Sequence, residues 1–130
     1  MESIKTRMKN NRRFKKRVQW YQLGQRRCSC CGVQLTWSSD NYPRDATVEH
    51  LVPASLGGTF HMVNTLVTCQ RCNSLRGNED WIRFVQKHKF PKLEWLIDRY
   101  VRAVEFYRTH DKVVYLKVQK SVKQYLKEAA

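Results

Sequence analysis

Four cysteines in two C-x2-C pairs, Cys28/Cys31 and Cys69/Cys72, constrain this chain more than any other feature. Two such pairs can close a tetrahedral four-thiolate zinc site, with Zn–S distances near ~2.3 Å. The cysteine total is five, and an odd number argues against a pure disulfide framework. The basic N-terminus has no apolar stretch behind it, so it does not read as a secretory signal. A reducing compartment then favours metal-bound thiolates over disulfides. Cys30 is left over inside the first pair and reads as a bystander thiol, able to compete locally for the metal. The gap from Cys31 to Cys69 holds 37 residues, more than a simple zinc ribbon needs. The zinc is therefore expected to staple the two ends of a large insert. With thiolates in all four positions it is expected to be structural and not catalytic.

Charge divides the chain at the same places. Residues 1–27 hold ten Lys/Arg and one acid, residues 28–80 three and five, and residues 81–130 twelve and five, giving +9, −2 and +7, or +14 in all. Two strongly basic flanks make a polyanion the expected partner. An acidic centre suits a divalent cation, because hard cations need carboxylate or amide oxygens. No run of apolar residues is long enough to span a bilayer. The expected location is intracellular, cytoplasmic, and a bacterial host cell if the chain is phage-encoded.

Periodicity gives a coarse order of elements. Met8, Phe14, Val18 and Tyr21 recur at helical spacing over 8–23, with Gly24 as a stop. Cys28–Leu35 reads as a knuckle opening into a short strand, and Thr47–Leu51 and Thr65–Cys69 read as strands. Ser55–Gly58 is expected to be a loop and Gln70–Gly77 a helical segment. A helix begins at Trp81, behind Glu79 and Asp80 as capping residues. Pro91 opens a longer helix that places Leu93, Leu96, Ile97, Tyr100, Val101 and Val104 on one face. Trp95, Tyr100, Phe106 and Tyr107 read as helix core rather than a base-stacking platform. Residues 112–128 carry a helical pattern, although the run Val113–Leu116 is β-prone enough to leave a strand open as an alternative. The expected organisation is a basic N-terminal helical arm (1–25), a central core (26–80) and a basic helical C-terminal region (81–130), all within one compact domain.

Inside the cysteine-bracketed insert lies Thr47-Val48-Glu49-His50-Leu51-Val52-Pro53, followed by Gly57-Gly58, Asn64, and then Cys72-Asn73. Glu49 and His50 project to opposite faces of a strand unless its end twists or bulges. The string from Cys28 through Glu49-His50, Gly57-Gly58, Asn64 and Cys69-x2-Cys72-Asn73 to Gly77 resembles the HNH endonuclease family, the zinc-stapled ββα-metal type. The resemblance covers about residues 26–80 and implies an α+β fold. That fold is a small ββα-metal core with a four-cysteine zinc knuckle, flanked by an N-terminal basic helix and two to three C-terminal helices.

The resemblance also implies roles. His50 is the general base that deprotonates the attacking water. Glu49 and Asn73 hold a catalytic divalent cation, and Asn64 orients the segment carrying His50. Cys28, Cys31, Cys69 and Cys72 hold Zn2+. An oxygen-only set at the catalytic ion favours Mg2+ or Mn2+. Arg76 stands where the family often carries Lys and keeps the phosphate-facing charge. Histidine can accept a proton at neutral pH, its ordinary pKa being ~6.5.

The implied reaction is metal-dependent hydrolysis of DNA to 5′-phosphate and 3′-hydroxyl ends, by a monomer or homodimer. DNA contacts, mainly to the backbone of a duplex, are expected from Arg71, Arg76, Arg12, Arg13, Lys15, Lys16 and Arg17. The alternative is a non-catalytic zinc-containing DNA-binding or genome-packaging accessory module of the same fold. His61 reads as a loop residue without a role, and His88 and His110, in the basic flank, as surface or helix-end residues.

Overall fold

A computed structural model describes the backbone of residues 4–38, 40 and 42–130, and their side chains from Arg12 onward. The expectations that touch residues 1–3, and the side-chain expectation for Met8, lie outside that description. The order of elements is α1 (Ile4–Gln22), β1 (Ala46–His50), β2 (Thr65–Cys69), α2 (Gln70–Arg76), α3 (Trp81–His88), α4 (Leu93–His110) and α5 (Lys112–Ala129). Two 3-10 turns, Ala54–Leu56 and Met62–Asn64, lie between the strands. The architecture is a small α+β fold in which a two-stranded sheet is followed by helices and a four-cysteine cluster.

The strands pair antiparallel in unbroken register from Ala46↔Cys69 to His50↔Thr65. Leu51 N–H donating to the Asn64 carbonyl at 2.8 Å extends the ladder one step. All ten strand residues except His50 are buried. The outer edge of β2 does not face water. Its Val67 carbonyl accepts from Ser29 N–H in the knuckle at 3.0 Å, and its Thr65 carbonyl accepts from the Arg99 guanidinium of α4 at 3.3 Å. Both contacts remove hydrogen-bonding groups that would otherwise template aggregation.

The knuckle is tighter than the short strand expected of it. Gly32, at φ +80°, lets the chain reverse so that Cys28 N–H reaches the Val33 carbonyl at 2.8 Å. Among the described residues two isolated bridges, Arg27↔Gln34 and Thr36↔Asp45, take the place of a strand there. Asp45 organises the next loop. Its carboxylate accepts from Thr36 Oγ1, from Ser38 Oγ at 2.7 Å and from Tyr42 N–H at 2.9 Å. These hydrogen bonds, led by that from Thr36, hold its pKa below the usual carboxylate value.

The face that α1 uses differs from the one its periodicity suggested. Phe14, Val18 and Tyr21 are exposed. The helix instead docks through Arg17 and Trp20. The Arg17 guanidinium donates to the Ala46 carbonyl at 3.1 Å and the Ser38 carbonyl at 2.6 Å, and lies 5.3 Å from the Trp37 ring. Trp20 Nε1 donates to Thr65 Oγ1 at 3.2 Å. The physical reason is that the edge of β1 presents carbonyls, which a polar residue satisfies and an apolar face cannot.

Asp80 caps α3, accepting from Arg83 N–H at 3.2 Å. Glu79 does not cap it; its side chain reaches Lys87 at 3.4 Å. The helix after Pro91 begins at Leu93 with Lys92 as its N-cap. The 112–128 segment is helix throughout, because Asp111 caps it and Val114, Val118 and Val122 bury one stripe. Leu96, Ile97, Tyr100, Ala103, Val104 and Tyr107 form the facing stripe of α4. One cluster of buried side chains joins the knuckle, the sheet and α3–α5. Trp95 is not in it: it is 44% exposed, against the expectation of a core position.

Candidate functional site

The four sulfurs of Cys28, Cys31, Cys69 and Cys72 lie within 4.8 Å of one another. The Cys31 and Cys69 sulfurs are 3.8 Å apart. A regular tetrahedron with ~2.3 Å metal–sulfur bonds has edges of about 3.8 Å, so the donor set fits a zinc ion in both geometry and chemistry. Cys69 begins the turn into α2, and its sulfur accepts from Cys72 N–H at 3.4 Å, the cap position of that helix. Burial pushes the Cys69 thiol up to about 11. Cys28 moves the other way, because Cys30 and Cys72 donate hydrogen bonds to its sulfur. Cys30 is fully buried against these sulfurs without being one of the four, and its thiol is raised chiefly by that same hydrogen bond to Cys28.

Cys69 pairs with Ala46 at the start of β1, and the opposite end of that strand carries Glu49 and His50. Alternation puts His50 with Thr65, Val48 and Val67 on one face, and Glu49 with Leu66 and Thr47 on the other. The register contains no bulge that would bring Glu49 and His50 to one side. His50 is half-buried, with its ring 4.4 Å from that of Phe60 in an edge-on contact.

Glu49 is 5% exposed and ion-paired to Arg76 at 2.6 Å through Oε1. Its Oε2 is buried without a hydrogen-bond partner among the described residues. Burial raises the pKa of Glu49, opposed by the Arg76 charge. Asn73 lies on α2 three residues before Arg76, and residues at that spacing share a helix face.

Asn64 is fully buried. Its Oδ1 accepts from Val52 N–H at 2.8 Å, and its Nδ2 donates to the carbonyls of Val52 at 3.1 Å and Thr59 at 2.9 Å. The carboxamide thus clamps the segment two residues beyond His50. Gly58 makes room for it, since a Cβ there would collide with the Val52 carbonyl and crowd Asn64 Nδ2.

The expected DNA contacts separate into two groups. Arg12, Lys15 and Arg71 are exposed, and Arg13 and Lys16 are half-exposed. Arg76 and Arg17 are turned inward. Arg76 is 4% exposed and donates to Glu49, to the carbonyls of His50 at 2.5 Å and Leu51 at 2.8 Å, and to Glu79 at 2.9 Å. Its guanidinium lies 5.0 Å from the Trp81 ring. This corrects the phosphate-facing role expected of it: a guanidinium that satisfies three backbone carbonyls and a buried carboxylate is structural. Arg17 is corrected for the same reason, since its donors close the gap between α1 and β1. Sequence reasoning had no signal for either, because an arginine reads alike whether its partner is a phosphate or a carbonyl.

A cleft of about 610 Å3 opens elsewhere, between the Pro53–Leu56 turn, α3 and α5, with Arg76, Asp80 and Tyr100 among its walls. His50, Glu49 and Asn73 do not line it. A site that acts on a polymer needs an open surface rather than an enclosed cavity.

Comparison with known families assigns the centre of the chain. Residues 28–86 match the family described as HNH endonuclease. The chain therefore carries a partial HNH-like domain, with a four-cysteine cluster capable of coordinating metal. The HNH segment runs from the first zinc-site cysteine through the sheet and α2 into α3. It includes His50, Glu49, Asn64 and Asn73, and excludes α1, α4 and α5. No curated protein and no solved structure matches the chain.

Proposed function

We propose that this protein is a metal-dependent HNH endonuclease that hydrolyses phosphodiester bonds of DNA, leaving 5′-phosphate and 3′-hydroxyl ends. The observation that carries this reading is the carboxylate of Glu49. It is buried one residue before His50 in β1, inside the HNH segment, and its Oε2 has no hydrogen-bond partner among the described residues. An unpartnered buried carboxylate oxygen is costly unless a cation completes it. The donor set Glu49 and Asn73 is all oxygen and suits Mg2+ or Mn2+. That ion, when bound, supplies Lewis-acid stabilisation of charge on the scissile phosphate.

His50, at the half-exposed end of an otherwise buried strand, takes the proton from the attacking water. Asn64 is a positioning residue. By fixing Val52 it fixes the chain leaving β1, and with it the imidazole. The zinc site joins the knuckle to α2 and so holds Asn73 against the sheet. Arg12, Arg13, Lys15, Lys16 and Arg71 contact the DNA backbone, which gives affinity that falls steeply with salt.

A second reading is a non-catalytic DNA-binding module of the same fold. Two observations favour it: Arg76 already neutralises Glu49 through Oε1, and the unbulged register sends Glu49 and His50 to opposite faces of β1. Plasmid cleavage with Mg2+ or Mn2+ separates the two. Wild type should nick or cut, and His50→Ala should lose at least ~100-fold in rate, the lower range for a general base. Undiminished cleavage by His50→Ala rejects the assignment of the base. DNA binding without cleavage under any divalent cation establishes the binding module instead.

A further inference from the structure

Helix α4 lies outside the HNH segment, yet it is tied to the strand end that carries His50 in two places. The first is Arg99, whose guanidinium donates to the carbonyls of Met62 and Thr65, both at 3.3 Å. Thr65 is the residue directly opposite His50 in the sheet. The second is the loop between the strands. Phe60 contacts the His50 ring, and its neighbour His61 stacks on Phe106 of α4 with ring centres 4.4 Å apart. His110 stacks on Phe106 as well, at 4.0 Å.

Trp95 stands on this helix with 44% of its surface in water. The buried stripe of α4 leaves it out, so packing gives no reason for an indole there. Two cations flank its ring: Lys92 Nζ at 5.8 Å and Arg99 Cζ at 5.7 Å from the centroid. An exposed aromatic face between two positive charges, on a flank with a net charge of +7, matches what a nucleotide offers: a flat ring or sugar beside a phosphate.

We infer that α4 is a second DNA-contacting wall, on which Trp95 stacks against a nucleotide of the strand entering the His50 site while Lys92 neutralises an adjacent phosphate. This rests on the proposed reading of DNA as substrate, and it extends the contact surface beyond α1 and Arg71. Arg99 has the separate task of fixing the wall to β2.

The test is binding of a labelled DNA duplex with a single-stranded overhang, whose bases are free to stack, to the full zinc-loaded chain, in the His50→Ala background, over a range of salt. Trp95→Ala should weaken binding about tenfold, within the range for losing one stacked base. Trp95→Phe should restore most of that affinity. Lys92→Ala should reduce the slope of log K against log salt by about one, as expected for one lost phosphate contact. Unchanged affinity in Trp95→Ala together with an unchanged slope in Lys92→Ala overturns the wall. The same losses on an RNA duplex bound more tightly than DNA overturn DNA as its occupant.

Cleavage by the chain with His50 intact, measured in parallel, keeps the two readings apart. Cleavage at subsaturating DNA that is insensitive to Trp95→Ala, together with unchanged binding, removes the wall and leaves the nuclease. Binding that depends on Trp95 without any cleavage removes the nuclease and leaves the wall.

Discussion

Arg76 is the residue on which the site's electrostatics turn. Its charge offsets the desolvation of Glu49, whose pKa burial raises. A carboxyl raised in the folded state contributes stability that is full below its unfolded value of 4.5 and is lost as pH rises through the folded value. Removing the guanidinium raises Glu49 further and widens that loss. Arg76→Ala should therefore destabilise the protein by about 3–5 kcal/mol at neutral pH, the cost of leaving a buried charge unpaired. The loss should be smaller near pH 5, where Glu49 can take a proton. Urea denaturation at the two pH values checks this. Adding Glu49→Gln should recover part of the loss at pH 7, and a double variant no more stable than Arg76→Ala would show that the backbone carbonyls, not the carboxylate, are the partners that matter.

At the scale of elements, the sequence is legible wherever burial imposes a period. The helices after Trp81 follow from a 3.6-residue stripe, because one face of each meets the core, and the strand Thr65–Cys69, buried on both faces, follows from a short run of β-branched and apolar residues. The cysteine cluster is legible from spacing alone. What fails is polar docking. Phe14, Val18 and Tyr21 have the period of a buried face, but α1 uses Arg17 and Trp20, since its neighbour is a strand edge rather than an apolar surface. Trp95 fails for the converse reason: it falls beside the stripe of α4 and not within it.

The 36–45 loop is a further polar device that composition could not reveal. Asp45 gathers Thr36, Ser38 and Tyr42 N–H around one carboxylate, and its pKa is lowered first by the Thr36 hydroxyl. A lowered carboxylate contributes stability above its unfolded value of 3.8 and loses it as pH falls through the folded value. Asp45→Asn should cost about 1–3 kcal/mol at neutral pH, and its stability should fall less steeply than that of wild type below pH 4. Thermal melts across the acid range would show this, and parallel acid limbs in the two proteins would contradict it.

The whole molecule depends on a single closure. The two C-x2-C pairs are separated by 37 residues that contain β1, the Asn64 clamp and most of β2, and a two-stranded sheet is at best marginally stable alone. Structural zinc sites contribute about 10–16 kcal/mol in small zinc domains, comparable to the ~5–15 kcal/mol stability of an ordinary domain. Removing the ion should therefore abolish the cooperative thermal transition rather than shift it by a few degrees. Because burial holds Cys69 at about 11, metal binding must displace protons, and affinity should rise with pH over the neutral range. Chelation followed by a zinc titration in weak buffer reads both effects: recovery of the transition at one equivalent, with acidification of the solution. Cys72→Ser should bind zinc weakly and remain without a cooperative transition at that stoichiometry. A chelated protein that melts at the same temperature as the zinc-loaded form would place the stability in α3–α5 and their core, leaving the knuckle a passenger on a helical scaffold.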